Sequence, residues 1–168
     1  MNELGVGADA LSSVLSHQGA AYGSLLELAS REEQAITDGD VGTLTAIVDD
    51  QRQLLDVLRA LETERMTALT AIAAATGVQL DALTLTGIAL MLDREAGEAL
   101  TASGLTLRAQ AEALNRANDR NAQLLENSRE IVDRWIQYLR TIVSGALMYT
   151  AEGEPEEASG YRVLDRSA

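Results

Sequence analysis

Apolar residues recur along most of the chain in steps of three and four, which is the period of an amphipathic helix. The pattern predicts three long helices, over residues 8–38, 41–76 and 95–147. Gly39 can take the left-handed conformation that ends a helix, and Asp40 can cap the helix that follows. A turn this short makes the first two helices antiparallel.

The segment between the second and third helices is less regular. Gly77 ends the second helix, and either Thr84 or Thr86 can cap a short helical piece that ends near Leu92. The third helix keeps its 3-4 spacing without a break, which is typical of a coiled-coil seam. The predicted fold is therefore all-α: an elongated antiparallel bundle of three long helices with coiled-coil-like packing.

We expect this bundle to form a single domain over residues 1–150. Residues 151–168 are rich in acidic side chains and lack apolar periodicity. A segment of that kind cannot bury enough apolar surface to fold alone, which predicts a flexible, disordered acidic tail.

The predicted helices differ in length. At about 1.5 Å per residue the second helix is about 54 Å long and the third about 80 Å, so the last ~17 residues of the third should extend past their partners. This part carries an apolar stripe made of Ile131, Val132, Trp135, Ile136, Leu139, Ile142 and Val143, with Tyr138 beside it. Such a stripe has to be buried, which predicts a partner-binding site. Coverage by the bundle itself, or by a second copy, is the alternative.

Charge and composition narrow the function. Thirteen basic and twenty-six acidic side chains give a formal net charge of −13, which repels nucleic acid and anionic lipid. Cysteine is absent, which excludes disulfides and thiol catalysis. The apolar runs are shorter than the ~20 residues that cross a bilayer. We expect a cytoplasmic protein that binds no nucleic acid and inserts into no membrane.

The residues that usually carry catalysis do not form a recognisable arrangement. His17 is the only histidine, whereas metal sites in helical bundles need histidines or clustered carboxylates. Adjacent acidic residues such as Glu32 and Glu33 point about 100° apart on a helix, so we interpret them as a solvated face. We expect no enzymatic activity, no cofactor and no metal site.

Asn115, Asn118 and Asn121 recur at intervals of three along the last helix. Buried asparagines cost stability but fix the register of neighbouring helices. We interpret the three as register asparagines inside the bundle, with direct ligand contact as the alternative. Gly104, in the same seam, indicates a close approach between helices.

Several segments together resemble the FlgN-type flagellar export chaperones. They are the asparagine-rich stretch with Leu124-Leu125-Glu126, the element Met148-Tyr149-Thr150-Ala151-Glu152-Gly153, the N-terminal run over 25–34, the turn Asp38-Gly39-Asp40 and the closing Arg162-Val163-Leu164-Asp165. The resemblance spans residues 11–168 and rests on the order and spacing of these segments.

The resemblance implies an ATP-independent chaperone that binds the C-terminal helical segments of the hook–filament junction proteins FlgK and FlgL. It implies delivery of these clients to the flagellar type III export gate. The client-binding residues of the last helix, with the end of the stripe, fall on Leu124, Leu125, Ile131, Val132, Trp135, Leu139 and Ile142. Tyr149, with Gly153, corresponds to the element that docks on the cytosolic domain of the gate protein FlhA, although Thr150 replaces a glycine common there.

A different class of function stays open at this point. The chain can be a structural coiled-coil scaffold, or a homodimeric interaction subunit without a client, whose stripe pairs with itself. Self-association through Trp135 that depends on concentration distinguishes this alternative.

Overall fold

The computed structural model describes residues 3–147, with side chains as far as residue 141. This part of the chain is all-α, as predicted. Helix α1 runs over Glu3–Asp38, α2 over Val41–Thr76, α3 over Leu85–Met91 and α4 over Arg94–Leu147. A 3₁₀ turn over Leu80–Ala82 lies between α2 and α3. The chain divides into two compact units, unit 1 over residues 1–125 and unit 2 over residues 126–168. The tail predicted for residues 151–168 lies outside the described residues, and the single domain over 1–150 stays a prediction.

The turn between α1 and α2 has the predicted construction. Gly39 has a φ of 69°, in the left-handed region that a residue without Cβ adopts readily. Asp40 caps α2, because its carboxylate accepts hydrogen bonds from the Thr43 hydroxyl at 2.6 Å and from the Thr43 N–H at 3.0 Å. These bonds, led by that from the Thr43 side chain, hold the pKa of Asp40 below its usual value, since they stabilise the ionised form.

The first helix begins at Glu3, earlier than the start predicted near residue 8. Gly5 and Gly7 lower the local helix propensity, but Gly7 lies against Ile72 near the end of α2. A Cβ at Gly7 would be only 2.9 Å from Ile72 Cγ1. This contact places the start of α1 beside the end of α2, so the two helices form an antiparallel pair, called the hairpin below.

Local capping residues define the connection from α2 to α4. Gly77, with a φ of 72°, ends α2. Thr84 rather than Thr86 caps α3, because its hydroxyl accepts a hydrogen bond at 3.0 Å from a backbone N–H of the first turn. Asp93 caps α4 in the same way, also at 3.0 Å.

All four helices contribute to the main core of unit 1, whose buried members are Leu11, Leu15, Ala68, Ile72, Ile88 and Leu100. The short helix α3 lies very close to α4 at two glycines. A Cβ at Gly97 would be 2.5 Å from the carbonyl oxygen of Ala89, and a Cβ at Gly104 would overlap Leu85. The close approach predicted at Gly104 is therefore confirmed.

Candidate functional site

Unit 2 carries an apolar helix face that is open to solvent. Every described residue from Glu126 to Thr141 is exposed. Six of them are apolar or aromatic, and we call these the α4 apolar face: Ile131, Val132, Trp135, Ile136, Tyr138 and Leu139. Trp135 is the most exposed at 61%, and Ile136 is the least at 42%. Single exposed apolar residues are normal on a protein surface, whereas a contiguous patch marks an interaction site.

Two aromatic rings lie side by side in this face. Trp135 and Tyr138 have ring centroids 6.0 Å apart and planes at 84°, an edge-to-face arrangement that aromatic pairs favour. Together with Ile131 and Arg134 they line a shallow depression. Tryptophan and tyrosine bury a large area while only two torsion angles are fixed, so this pair is suited to anchor a partner.

The charged residues of unit 2 occupy the rest of the helix circumference, and Arg134 lies at the border of the α4 apolar face, where it lines the depression. Arg129 donates to Glu126 at 2.8 Å, and Arg134 donates to Glu130 at 3.0 Å. The hydrogen bond to Glu126 raises the pKa of Arg129. Exposed pairs of this kind add little stability, so their main effect is to keep the polar side of the helix solvated.

The predicted client-binding residues lie partly in the α4 apolar face and partly in unit 1. Those in the face are Ile131, Val132, Trp135 and Leu139. In unit 1, Leu124 is half-buried and Leu125 is 44% exposed. The side chain of Ile142 lies outside the described residues, as do Tyr149 and Gly153, which were predicted to dock on the export gate.

Within unit 1, Leu125 lines a groove that also receives residues from α1 and α2. Its apolar lining consists of Leu25, Leu55, Leu114, Ala122 and Leu125. Asn121, only 2% exposed, donates through Nδ2 to the Ala29 carbonyl oxygen at 2.8 Å and to Glu32 Oε2 at 3.1 Å. Gln51 Nε2 donates to the same Glu32 oxygen at 3.0 Å. One carboxylate of α1 therefore links α2 and α4.

The roles of Glu32 and Gln51 do not follow from the sequence. The adjacent acidic pair predicts a solvated face at Glu32, but this residue is half-buried and bonded to both neighbouring helices. The available signal was Gln51, a polar residue inside the apolar stripe of α2, because a buried polar group needs a hydrogen-bond partner. Which partner it finds depends on tertiary packing.

Only one of the three predicted register asparagines is buried. Asn115 and Asn118 are exposed, so the expectation that they lie inside the bundle is wrong. The two steps from Asn115 to Asn121 turn the side chain by about 120° around the helix, and Asn118 lines the open groove beside Leu125 instead of entering the core. Asn121 does face it, and its role in fixing the register stays a prediction.

The described residues contain no group of three or more His, Cys, Asp or Glu side chains that could hold a metal ion. The histidine, His17, is exposed on α1. No helix within the described residues combines the length and apolar character that crossing a membrane requires. The arrangement that these residues do present is an apolar contact surface on α4.

Comparison with known families identifies the relatives of this chain. The family model described as FlgN protein matches residues 1–157. The chain belongs to the FlgN family. No curated protein and no solved structure gives a significant match. Membership confirms the resemblance found in the sequence and implies a flagellar export chaperone in general, since the FlgN family is a family of flagellar chaperones.

Proposed function

We propose that this FlgN-family chain is an ATP-independent, cytoplasmic chaperone for the hook–filament junction proteins FlgK and FlgL. It binds their C-terminal helical segments through the α4 apolar face and delivers them to the flagellar type III export gate. The observation that supports this proposal is the exposure of that face, in which Trp135 is 61% exposed.

The size of the α4 apolar face fits a client that has to be released. Burying a whole side chain of this kind stabilises a complex by about 1.5–3 kcal/mol, so covering the exposed half of six gives about 5–9 kcal/mol. Association itself costs about 4–15 kcal/mol. The face alone therefore supports transient binding, and Leu124, Leu125 and Ile142 stay predicted client contacts.

Charge also favours a client at this face. The whole chain carries a formal charge of −13, which repels acidic partners at long range. Residues 126–141 contain three acidic residues and three arginines, so their formal charges sum to zero. This neutral part of α4 is thus accessible to acidic and basic client segments alike.

Variants of the α4 apolar face test client binding. Trp135→Ala and Leu139→Ala should each weaken binding of FlgK at least about tenfold, because each truncates a central contact. Gln137→Ala, on the polar side of the same helix, is the matched control and should leave the affinity unchanged. Isothermal titration gives the affinity, and far-UV circular dichroism gives the helix content.

Two outcomes contradict this assignment. If Trp135→Ala lowers helix content and affinity in parallel, the tryptophan is a core residue. If the free protein forms dimers through Trp135 and does not bind FlgK, the chain is a self-pairing structural subunit instead.

The second part of the proposal assigns delivery to Tyr149 and Gly153, which we expect to dock on the cytosolic domain of FlhA. Both residues lie outside the described residues, and their support is the tyrosine element shared with the family. Tyr149→Ala should leave the affinity for FlgK unchanged and abolish its export, measured as FlgK in the culture supernatant. Tyr149→Phe is the conservative control. Wild-type motility of the Tyr149→Ala strain contradicts the docking role.

A further inference from the structure

The α4 apolar face is wider than the seam of a two-stranded coiled coil. Six of the nine residues from Ile131 to Leu139 belong to it. At about 100° per residue they cover an arc of about 160°, with Tyr138 at one border and Ile136 at the other. A helix that pairs with one other helix needs only two apolar positions in seven, whereas a helix inside a bundle needs more.

In unit 1, the packing around α4 shows which helices cover a wide apolar side of this helix. There, Leu100 packs in one cluster with Leu11 of α1 and Ile72 of α2. Asn121 is bonded to α1, and Leu114 lines a groove shared with both helices of the hairpin. Within unit 1 the buried side of α4 therefore lies against both helices of the hairpin, and near its start against α3 as well.

Unit 2 presents its apolar face exposed, so the helices that cover this face have to come from a partner. The arginines and acidic residues of unit 2 occupy the rest of the helix circumference, where Arg129 and Arg134 are paired with Glu126 and Glu130. A partner that covers the α4 apolar face therefore has to supply a wide apolar surface of its own.

We propose that the α4 apolar face takes two amphipathic helices of one client, lying side by side in the way that the hairpin lies on α4 in unit 1. The inference rests on the proposed function and specifies its substrate class: a client that presents a pair of helices. A single helical segment would leave one border of the face in water.

Alanine variants at the two borders test this inference with purified FlgK as the probe. Tyr138→Ala and Ile136→Ala should each weaken FlgK binding at least about fivefold. Because the two borders contact different helices, the double variant should lose about the product of the two effects. Leu139→Ala tests the centre of the face, and Gln137→Ala, on the polar side of the helix, is the control. Helix content by circular dichroism verifies that each variant is folded.

The outcomes separate the inference from the proposed function. If Leu139→Ala and one border variant weaken binding but the other border variant does not, one helix fills the site. In that case the two-helix inference is overturned and the chaperone function stands. If Leu139→Ala has no effect on FlgK binding, both fail. If sedimentation equilibrium shows that a second copy covers the face and FlgK does not displace it, the occupant is another chaperone molecule and the inference fails.

Discussion

Replacing Asn121 tests how α4 is held against the hairpin. Its Nδ2 bonds to the Ala29 carbonyl oxygen and to the Glu32 carboxylate, while its Oδ1, also buried, has no partner among the described residues. Loss of the first bond costs about 1 kcal/mol, and loss of the second costs about as much because Glu32 is partly solvated. With the space left by the amide, Asn121→Ala should destabilise the fold by about 2–3 kcal/mol.

Asn121→Leu separates the hydrogen bonds from the packing. Leucine fills a similar volume and removes the unpaired Oδ1, while Glu32 keeps its bond from Gln51. Leucine loses the same two hydrogen bonds as alanine but leaves no space behind, so the loss should be about 1–2 kcal/mol, smaller than that of Asn121→Ala. Asn118→Ala, at an exposed position of the same helix, should change stability by less than about 0.5 kcal/mol.

Urea unfolding followed by circular dichroism at 222 nm measures these differences, with the slope of the transition as a check on the unfolded state. The two bonds of Asn121 do not stabilise the fold if Asn121→Ala is as stable as the wild type. The same conclusion follows if Asn121→Leu is as stable as the wild type, since leucine keeps the packing and loses both bonds.

Two further predictions concern the close helix approach and the capped turn. Gly97→Ala should destabilise unit 1 by about 1–3 kcal/mol, because the new Cβ meets the backbone oxygen of Ala89 at 2.5 Å. Gly5→Ala is the control and should be neutral or stabilising, because its Cβ meets nothing within 4 Å. Equal effects of the two variants in urea unfolding contradict the close approach. The pKa of Asp40 is lower in the folded than in the unfolded chain. Its contribution to stability is therefore complete above the unfolded pKa and is lost as pH falls through the folded pKa. Asp40→Ala should destabilise the fold more at pH 7 than at pH 2–3, and an equal loss at both pH values, or an unchanged stability of Thr43→Val, contradicts the cap.

The helix boundaries of this protein could be predicted because they depend on local chemistry. Gly39, Asp40, Gly77 and Thr84 each satisfy backbone groups of their own turn, and such capping needs no knowledge of the tertiary structure. The start of α1 was placed too late for the opposite reason. Gly7 is a poor helix former that is held in a helix by packing on α2.

The candidate site could be predicted only in part. The apolar residues around Trp135 follow from the 3-4 spacing, since that spacing defines one side of a helix whatever covers it. The link from Glu32 to Gln51 and Asn121 joins residues 19 and 89 positions apart in the sequence. No local pattern encodes such a link, because it depends on how three helices are packed.

The solvent access of Trp135 in the free monomer tests the central claim most directly. It is the only tryptophan of the chain, so its fluorescence reports on the α4 apolar face alone. With sedimentation velocity verifying single copies, iodide should quench the free protein strongly, and added FlgK should protect Trp135 and shift its emission to the blue. If Trp135 is already protected in the free monomer, or if FlgK binds without changing its quenching, the face does not bind the client.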